Sequence, residues 1–181
     1  MGSSFFIRTC YLQVLPPHEV VAERGVSDEE VEDILEAGLV FAAEKAAVGY
    51  LERAEHSRYI LTIKLKKKEH QQRAICRALD YLEEQGFLSD VRYAQAWLRN
   101  RSINHAEGRN RLFSGLLTKG IDRSIANQVL DEYFASVDQD SVLERAIEKC
   151  KRLGKSQEAT EKYLLRKGFS YKDFKCKISK N

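Results

Sequence analysis

Residues that interrupt helices are scarce in this sequence. Of its 181 residues only two are proline, and Pro16 and Pro17 are adjacent. Proline breaks helices and is excluded from central strands, so only glycine punctuates the chain after residue 17. Several of those glycines follow amphipathic, leucine-bearing runs, which is where helices commonly end. The sequence therefore predicts a protein made largely of helices.

Residue types that build metal sites, disulfides and phosphate loops are scarce as well. The four cysteines form no CxxC pair, the four histidines are scattered, and no GxGxxG or Walker-type run occurs. We therefore expect free thiols in a reducing compartment, with no metal and no cofactor. Pairs such as His105 with Glu107 arise by chance in helices, and no motif elsewhere in the chain supplies further catalytic residues to join them. We therefore predict that the protein is not an enzyme.

Long apolar runs are also missing. No stretch approaches the roughly 18 residues that span a bilayer, and the N-terminal "SFFIRTCYLQVL" is interrupted by Arg8 and Gln13. With 43% apolar and 31% charged residues, the chain has the composition of a folded, soluble protein. We expect a monomer in the cytoplasm with no membrane partner.

Charge is unevenly distributed, although the net charge is only +3. Residues 1–49 carry 3 basic and 9 acidic side chains, whereas residues 50–181 carry 27 and 18. The last 33 residues hold 11 Lys or Arg against 3 Asp or Glu. A basic body of this kind favours a polyanionic or acidic partner, nucleic acid first. Solvated helix faces rich in lysine are the alternative interpretation.

Helical periodicity divides the chain after residue 27 into ten segments. Ser27 with Glu30 spells a capping box, and Ser57 and Ser156 are further N-cap residues. The predicted helices are 28–37, 40–54, 58–68, 71–85, 90–103, 107–119, 123–135, 140–153, 157–167 and 171–179. Only the segment before Gly25 has the residue composition typical of strands, and it is compatible with a short β-hairpin.

One 15-residue sequence motif occurs three times along the chain. "LLTKGIDRSIANQVL" spans residues 116–130, "LLRKGFSYKDFKCKI" spans 164–178, and a degraded copy, "LKKKEHQQRAICRAL", spans 65–79. The copies start 51 and 48 residues apart, and such a period indicates a tandem repeat. A further helix precedes each copy, so each repeat reads as three short helices that bury their leucines within the repeat and against its neighbour.

The turn inside each copy of the motif requires a left-handed residue between two packed helices. Gly120 and Gly168 adopt that conformation freely. In the first copy either Glu69 adopts it at a cost of about 1 kcal/mol, or the turn there differs. The predicted core residues of the second and third copies are Leu116, Leu117, Ile121, Ile125, Leu130, Leu164, Leu165, Phe169, Phe174 and Ile178.

Four ordered blocks of the chain resemble the signature blocks of the RecX family. They are "LERAEHSRYILTIKL", "ALDYLEEQGFLSDVRYAQAWLRNR", "LLTKGIDRSIANQVL" and "YLLRKGFSYKDF". The resemblance implies an all-α fold of three tandem three-helix repeats in an elongated, curved array, and it covers most of the chain from Ala42 to Ile178. Two features depart from the family pattern: Lys68-Glu69-His70 replaces the usual Lys-Gly-Phe, and the segment before Val40 matches no block. We predict an N-terminal extension over residues 1–39 and repeats over 40–86, 87–136 and 137–181.

The resemblance also implies a function. RecX proteins regulate the RecA recombinase in DNA repair, recombination and the SOS response. The implied activity is binding in the groove of the RecA–DNA filament, with damping of RecA's ATPase, strand exchange and coprotease activity. The expected partners are the RecA filament and DNA, the latter without sequence specificity. The candidate contact residues are the basic side chains Arg99, Arg101, Arg109, Arg111, Lys119, Lys149, Lys151, Arg152, Lys155, Arg166 and Lys167.

Two alternatives remain open at the level of sequence. A helix, a glycine turn and a second helix also resemble a helix-turn-helix transcriptional regulator, although only Asn127 and Gln128 suit base reading. Tyr93 and Trp97 are four residues apart and share one face of a predicted helix. We expect them to pack between the first two repeats, and base stacking is the alternative.

Overall fold

The computed structural model describes residues 6–21 and 24–178. Within these ranges the regular structure consists of nine α-helices and two short 3-10 turns, and no strand occurs. The helices are α1 (Asp28–Leu51), α2 (Arg58–Lys66), α3 (Gln72–Glu84), α4 (Asp90–Asn104), α5 (Arg109–Leu117), α6 (Arg123–Ser136), α7 (Gln139–Arg152), α8 (Gln157–Arg166) and α9 (Tyr171–Ile178). The predicted all-α fold is confirmed. None of these helices combines the length and the apolar character needed to cross a bilayer.

Helix α1 merges the first two predicted helices. It starts at the predicted capping box, in which the Ser27 and Glu30 side chains each bond the other residue's backbone N–H. The predicted break at Gly38 is wrong, because Ala37 and Val40 on either side are fully buried and hold the helix together. The predicted boundary at residue 39 therefore falls inside a helix, and the division of the chain into an extension and repeats stays a prediction.

The chain divides into two compact units, Met1–Ser89 and Asp90–Asn181. In the first unit, α1 packs along α3, and leucines of α2 and α3 complete the core. The second unit holds two apolar clusters, one built by α4, α5 and α6 and the other by α7, α8 and α9. The four cysteines are free thiols, as predicted.

The same turn follows α2, α5 and α8. A left-handed residue ends each helix: Glu69 at φ 64°, Gly120 at 77° and Gly168 at 85°. The residue after it donates a 3.2 Å backbone hydrogen bond to the carbonyl five positions upstream, as in a Schellman motif. These bonds run from His70 to Leu65, from Ile121 to Leu116 and from Phe169 to Leu164. The predicted repetition of the turn is confirmed, including the left-handed glutamate.

Most of the predicted core is also confirmed. The buried members are Leu116, Ile121, Leu130, Leu164, Phe169 and Phe174, and the partly buried members that pack on them are Leu117, Ile125 and Ile178. Leu165 is the exception, because its side chain is 51% exposed. Helix α8 buries Thr160 and Leu164, one turn apart, and Leu165 lies beside that narrow face.

The described part of the N-terminal extension forms no hairpin. Its regular structure consists of the 3-10 turns Thr9–Tyr11 and Pro17–Glu19. Between them, the Asp33 carboxylate accepts hydrogen bonds of 2.9 to 3.1 Å from three consecutive backbone N–H groups, those of residues 13, 14 and 15. Burial raises the pKa of Asp33, but these bonds outweigh it and hold that pKa below its usual range. The N–H groups that a strand would use are thus bound by a carboxylate of α1.

A second buried carboxylate of α1 anchors the start of the extension. Glu44 accepts two 2.6 Å hydrogen bonds from the Arg8 guanidinium and one of 2.8 Å from the Tyr11 hydroxyl. Arg77 of α3 donates a 2.6 Å hydrogen bond to the Tyr11 carbonyl. Two acidic side chains of the acidic N-terminal quarter therefore serve folding, since they bind the extension to α1.

Candidate functional site

Two glycines allow a close backbone contact inside the second unit. The N–H of Gly108 donates a 2.9 Å hydrogen bond to the carbonyl of Lys167, and the N–H of Asn110 donates one of 3.3 Å to that of Gly168. A Cβ atom on Gly108 would overlap the Gly168 backbone, and one on Gly168 would overlap the backbone of Arg111. The start of α5 and the end of α8 can therefore approach this closely only because both positions lack a side chain.

This contact brings Glu107 to the centre of a basic cluster. Its side chain is 3% exposed and accepts hydrogen bonds of 2.5 and 3.1 Å from the Arg101 guanidinium. Lys167 Nζ lies 3.5 Å from a Glu107 carboxylate oxygen, and Arg111 Nε lies 3.9 Å from it. One buried carboxylate therefore holds cations from α4, from α5 and from the residue that follows α8.

The charge state of Glu107 follows from these contacts. Burial raises the pKa of its carboxyl group, but the hydrogen bond and charge of Arg101, with the charge of Lys167, outweigh burial and leave the pKa below 4.5. Glu107 is therefore ionised at neutral pH. A single negative charge faces three positive ones, so the surroundings of Glu107 remain net positive.

The first surface beside this cluster is a groove at Trp97, which we call the tryptophan groove. It encloses about 290 Å³, and its lining residues are Trp97, Arg101, Arg111, Ser114, Gly115, Thr118 and Lys119. The Arg101 guanidinium lies 5.1 Å from the centre of the Trp97 ring, a cation–π contact. A Cβ atom on Gly115 would collide with that ring, so the glycine makes room for it.

Trp97 and Tyr93 both pack against the α4–α6 core. Trp97 also lines the groove, so the same ring has a core contact and a solvent-facing edge. Both residues therefore pack on the second unit's own first core, and packing between the first two repeats stays a prediction. A stacking role for the remaining edge of Trp97 stays a proposal.

The second surface is a pocket of about 230 Å³, which we call the cationic pocket. It is lined by Ile103, Asn104, His105, Ala106, Arg145, Lys149, Arg152, Tyr163 and Lys167. Among the described residues, no Asp or Glu belongs to this lining, although four Arg or Lys residues do. Three of them, Arg145, Lys149 and Arg152, lie four and three residues apart and so share one face of α7.

Tyr163 stands among further cations at the same place. The ammonium groups of Lys155 and Lys167 lie 6.0 and 5.9 Å from its ring centre, and the guanidinium of Arg166 lies 5.9 Å away. Burial raises the pKa of the Tyr163 phenol, followed by a smaller effect of Cys150. The hydroxyl group therefore stays protonated at neutral pH and can donate a hydrogen bond.

The structure brings together eight of the eleven predicted contact residues. Arg101, Arg111 and Lys119 line the tryptophan groove, and Lys149, Arg152 and Lys167 line the cationic pocket. Lys155 and Arg166 join them through the Tyr163 ring.

The other three predicted residues lie elsewhere on the second unit. Arg109 pairs with Asp131 at 2.8 Å. Lys151 lines a separate surface depression with Glu144 and Glu148, on a different face of α7 from the cationic pocket. Arg99 lines a depression beside α6 that includes Glu132. These three cations therefore face acidic neighbours rather than the two basic surfaces.

Three residues of the site are not predicted as such from the sequence. The sequence presents Glu107 only as a chance partner of His105, and it singles out neither Arg145 nor Tyr163. Arg145 has a signal in the sequence, since it precedes Lys149 by one helical turn. Glu107 has none, because its role depends on a tertiary contact between glycines 60 residues apart.

Comparison with known proteins gives one consistent family. The family model described as RecX, second three-helix domain, matches residues 89–130. The regulatory protein RecX of Treponema pallidum subsp. pallidum is 31% identical over 144 residues, which cover 80% of this chain and 88% of that protein. The regulatory protein RecX of Clostridium acetobutylicum is 26% identical over 174 residues, which cover 91% of this chain and 80% of the relative.

Solved structures share the fold. A crystal structure of a regulatory protein RecX superposes with a TM-score of 0.78 at 19% identity, covering 91% of this chain and 84% of the other. The crystal structure of RecX from Lactobacillus salivarius gives 0.68 at 24% identity, covering 78% and 95%. The identity to the Treponema protein and the extent of its coverage, with this shared fold, lead to one conclusion: the chain belongs to the RecX family of regulatory proteins.

Proposed function

We propose that this protein binds the RecA filament on DNA and damps RecA's ATPase, strand exchange and coprotease activity. It acts as a binding protein without catalysis of its own. The tryptophan groove and the cationic pocket contact DNA phosphates or acidic RecA side chains. The finding that carries the proposal is the concentration of seven Arg and Lys residues in the linings of these two places, beside one buried carboxylate.

Two physical arguments support this assignment. Cations that outnumber the nearby carboxylates attract a polyanion, and release of its counterions makes the binding strong at low salt. The tryptophan groove places an aromatic edge beside three cations, a combination that suits an unpaired base and its phosphate. The two linings hold a single side-chain amide, that of Asn104, and so offer little means of reading a base sequence.

The test is the ATPase rate of RecA on single-stranded DNA as this protein is titrated in. We expect the rate to fall as the protein approaches the concentration of RecA, equally on two DNA strands of unrelated sequence. The inhibition should weaken steeply with added salt. An unchanged rate at stoichiometric amounts would contradict the proposal. Binding to duplex DNA that depends on one base sequence and persists without RecA would instead favour a transcriptional regulator.

A further inference from the structure

We propose that the cationic pocket is a discrete binding site for a phosphate group carrying two negative charges. The site belongs to the protein alone and needs no filament, so the proposal goes beyond the function proposed above. It rests on the composition of the pocket, the arrangement of α7 and the size of the cavity.

Helix α7 separates its charges by face. Arg145, Lys149 and Arg152 line the cationic pocket, whereas Glu144 and Glu148 line a separate depression on a neighbouring face of the helix. Each of these acids directly precedes a pocket cation in sequence but faces away from it. Among the described residues, Glu144 pairs with Lys177 of α9, and neither acid lies within ion-pair distance of the three pocket cations.

The other elements around the pocket add no free acid. In the described part of the chain, no carboxylate lies within 4.0 Å of the charged groups of Arg145, Lys149 or Arg152, and the pocket lining contains neither Asp nor Glu. The carboxylate that reaches the lining is that of Glu107, which contacts Lys167 and is already engaged by Arg101. Like charges one helical turn apart repel each other and weaken a helix, so an anion in the pocket would relieve an existing repulsion.

Neutral hydrogen-bond donors accompany the cations. Tyr163 and Asn104 both line the pocket, and the phenol of Tyr163 stays protonated at neutral pH because burial raises its pKa. A phosphate group has three strong acceptor oxygens, and it binds best where charged and neutral donors converge. A carboxylate offers two oxygens and one charge, so it would leave most of these donors unused.

The volume of the pocket suits a small anion. At about 230 Å³ it is smaller than the sites of roughly 300–1,000 Å³ that enclose whole organic ligands. Four cations around so small a volume favour a group of high charge density. The two sources of such a group are a free phosphate compound and the terminal phosphate of a nucleic-acid strand.

The experiment is titration calorimetry of the full-length protein with pyrophosphate, at fixed ionic strength. The test variant is Lys149→Gln/Arg152→Gln, and the matched control is Lys151→Gln/Lys172→Gln. Both doubles remove two positive charges from exposed positions of the second unit, but Lys151 lines a different depression on another face of α7 and Lys172 lies on α9. We expect wild type and control to bind pyrophosphate alike, and the test variant to bind it at least about tenfold more weakly.

Two results would overturn the proposal: no heat of binding to the wild-type protein, or equal losses in the two doubles. Single-stranded oligonucleotides with a 5′-phosphate or a 5′-hydroxyl then identify the source. Tighter binding of the phosphorylated strand, abolished in the test variant only, assigns the pocket to strand ends. Equal binding of the two strands, with pyrophosphate still bound, assigns it to a free phosphate compound. RecA inhibition is measured separately, so failure of the pocket and failure of filament binding are distinguishable.

Discussion

The backbone N–H of Gly108 bonds the carbonyl oxygen of Lys167, 59 positions further along the chain, at 2.9 Å. The bond positions the neighbouring Glu107 against Lys167. We predict that Gly108→Ala destabilises the protein by about 1–3 kcal/mol, because the new Cβ would overlap the backbone of Gly168. Urea unfolding followed by circular dichroism measures the change.

Gly49→Ala is the control for that variant. Gly49 lies inside α1, and a Cβ atom there meets nothing within 4 Å. Alanine is the better helix former by about 1 kcal/mol, so this variant should be slightly stabilised. Equal effects of the two substitutions would show that the close contact at Gly108 is not needed.

At two of the left-handed turns, substitutions should change the stability of the protein in opposite directions. Gly120 has φ 77°, so Gly120→Val should lose about 1–2 kcal/mol or more, since β-branched residues avoid this conformation. Glu69 has φ 64° and an exposed side chain, so Glu69→Gly should gain up to about 1 kcal/mol, reduced by the greater freedom of glycine in the unfolded chain. Thermal unfolding of both variants checks the pair. A stabilised Gly120→Val protein would exclude a left-handed turn at that position.

Glu107 predicts a dependence of stability on pH. Its pKa in the folded protein lies below the ordinary value of 4.5, so its stabilising contribution is complete above that pH and is lost as the pH falls through the folded pKa. Glu107→Gln should therefore cost about 1–3 kcal/mol at neutral pH, and the difference from wild type should shrink below pH 4.5. Urea unfolding at several pH values measures this difference. The exposed Glu148→Gln should show little change at any pH, and a constant deficit of Glu107→Gln down to strong acid would contradict the assignment.

Charge reversal tests the proposed binding surface. Lys149→Glu/Arg152→Glu should weaken binding to a RecA filament on single-stranded DNA, measured by fluorescence anisotropy. The salt dependence should also become shallower, by about 0.7 in log–log slope for each phosphate that the protein ceases to neutralise. Lys151→Glu/Lys172→Glu makes the same change of charge on other faces and should retain both affinity and slope. Identical behaviour of the two variants would mean that only overall charge matters.

The acidic N-terminal quarter is predicted not to bind the filament. Asp28, Glu29 and Glu32 are exposed in the first turns of α1, and neutralising them as amides should leave filament binding unchanged or slightly tighter. Each change should cost only a few tenths of a kcal/mol, since these charges favour the helix N-terminus. Removal of residues 1–38 would be a poor substitute, because it deletes the buried Tyr11 and Asp33. Loss of binding in the amide variant would identify this segment as a docking element.

Local features were predictable from the sequence, and features that depend on distant contacts were not. The capping box of Ser27 and the left-handed Gly120 and Glu69 are encoded by neighbouring residues, so periodicity and cap chemistry found them. The prediction of two helices over α1 is wrong, because Gly38 indicates a helix end unless the burial of its neighbours is known.

The site likewise combines features that the local sequence predicts with features that depend on distant contacts. The sequence identifies the basic residues only as a set, and their role in binding stays a prediction. Nothing local distinguishes Arg152, which lines the cationic pocket, from Lys151, which does not. Only the helical phase of α7 in the folded unit separates them. Glu107 gains its role from the fold, because two glycines bring Lys167 beside it.

The contacts of the N-terminal extension join residues much further apart in the sequence than those of the repeated turns. Each turn closes within five residues, whereas Gln13 reaches Asp33 across 20 positions, Arg8 reaches Glu44 across 36, and the Tyr11 carbonyl reaches Arg77 across 66. A chain emerging from the ribosome makes its first residues long before α3 exists. During synthesis the extension therefore lacks its partners until α1 and α3 have been made. Its contacts form only once the first unit is complete.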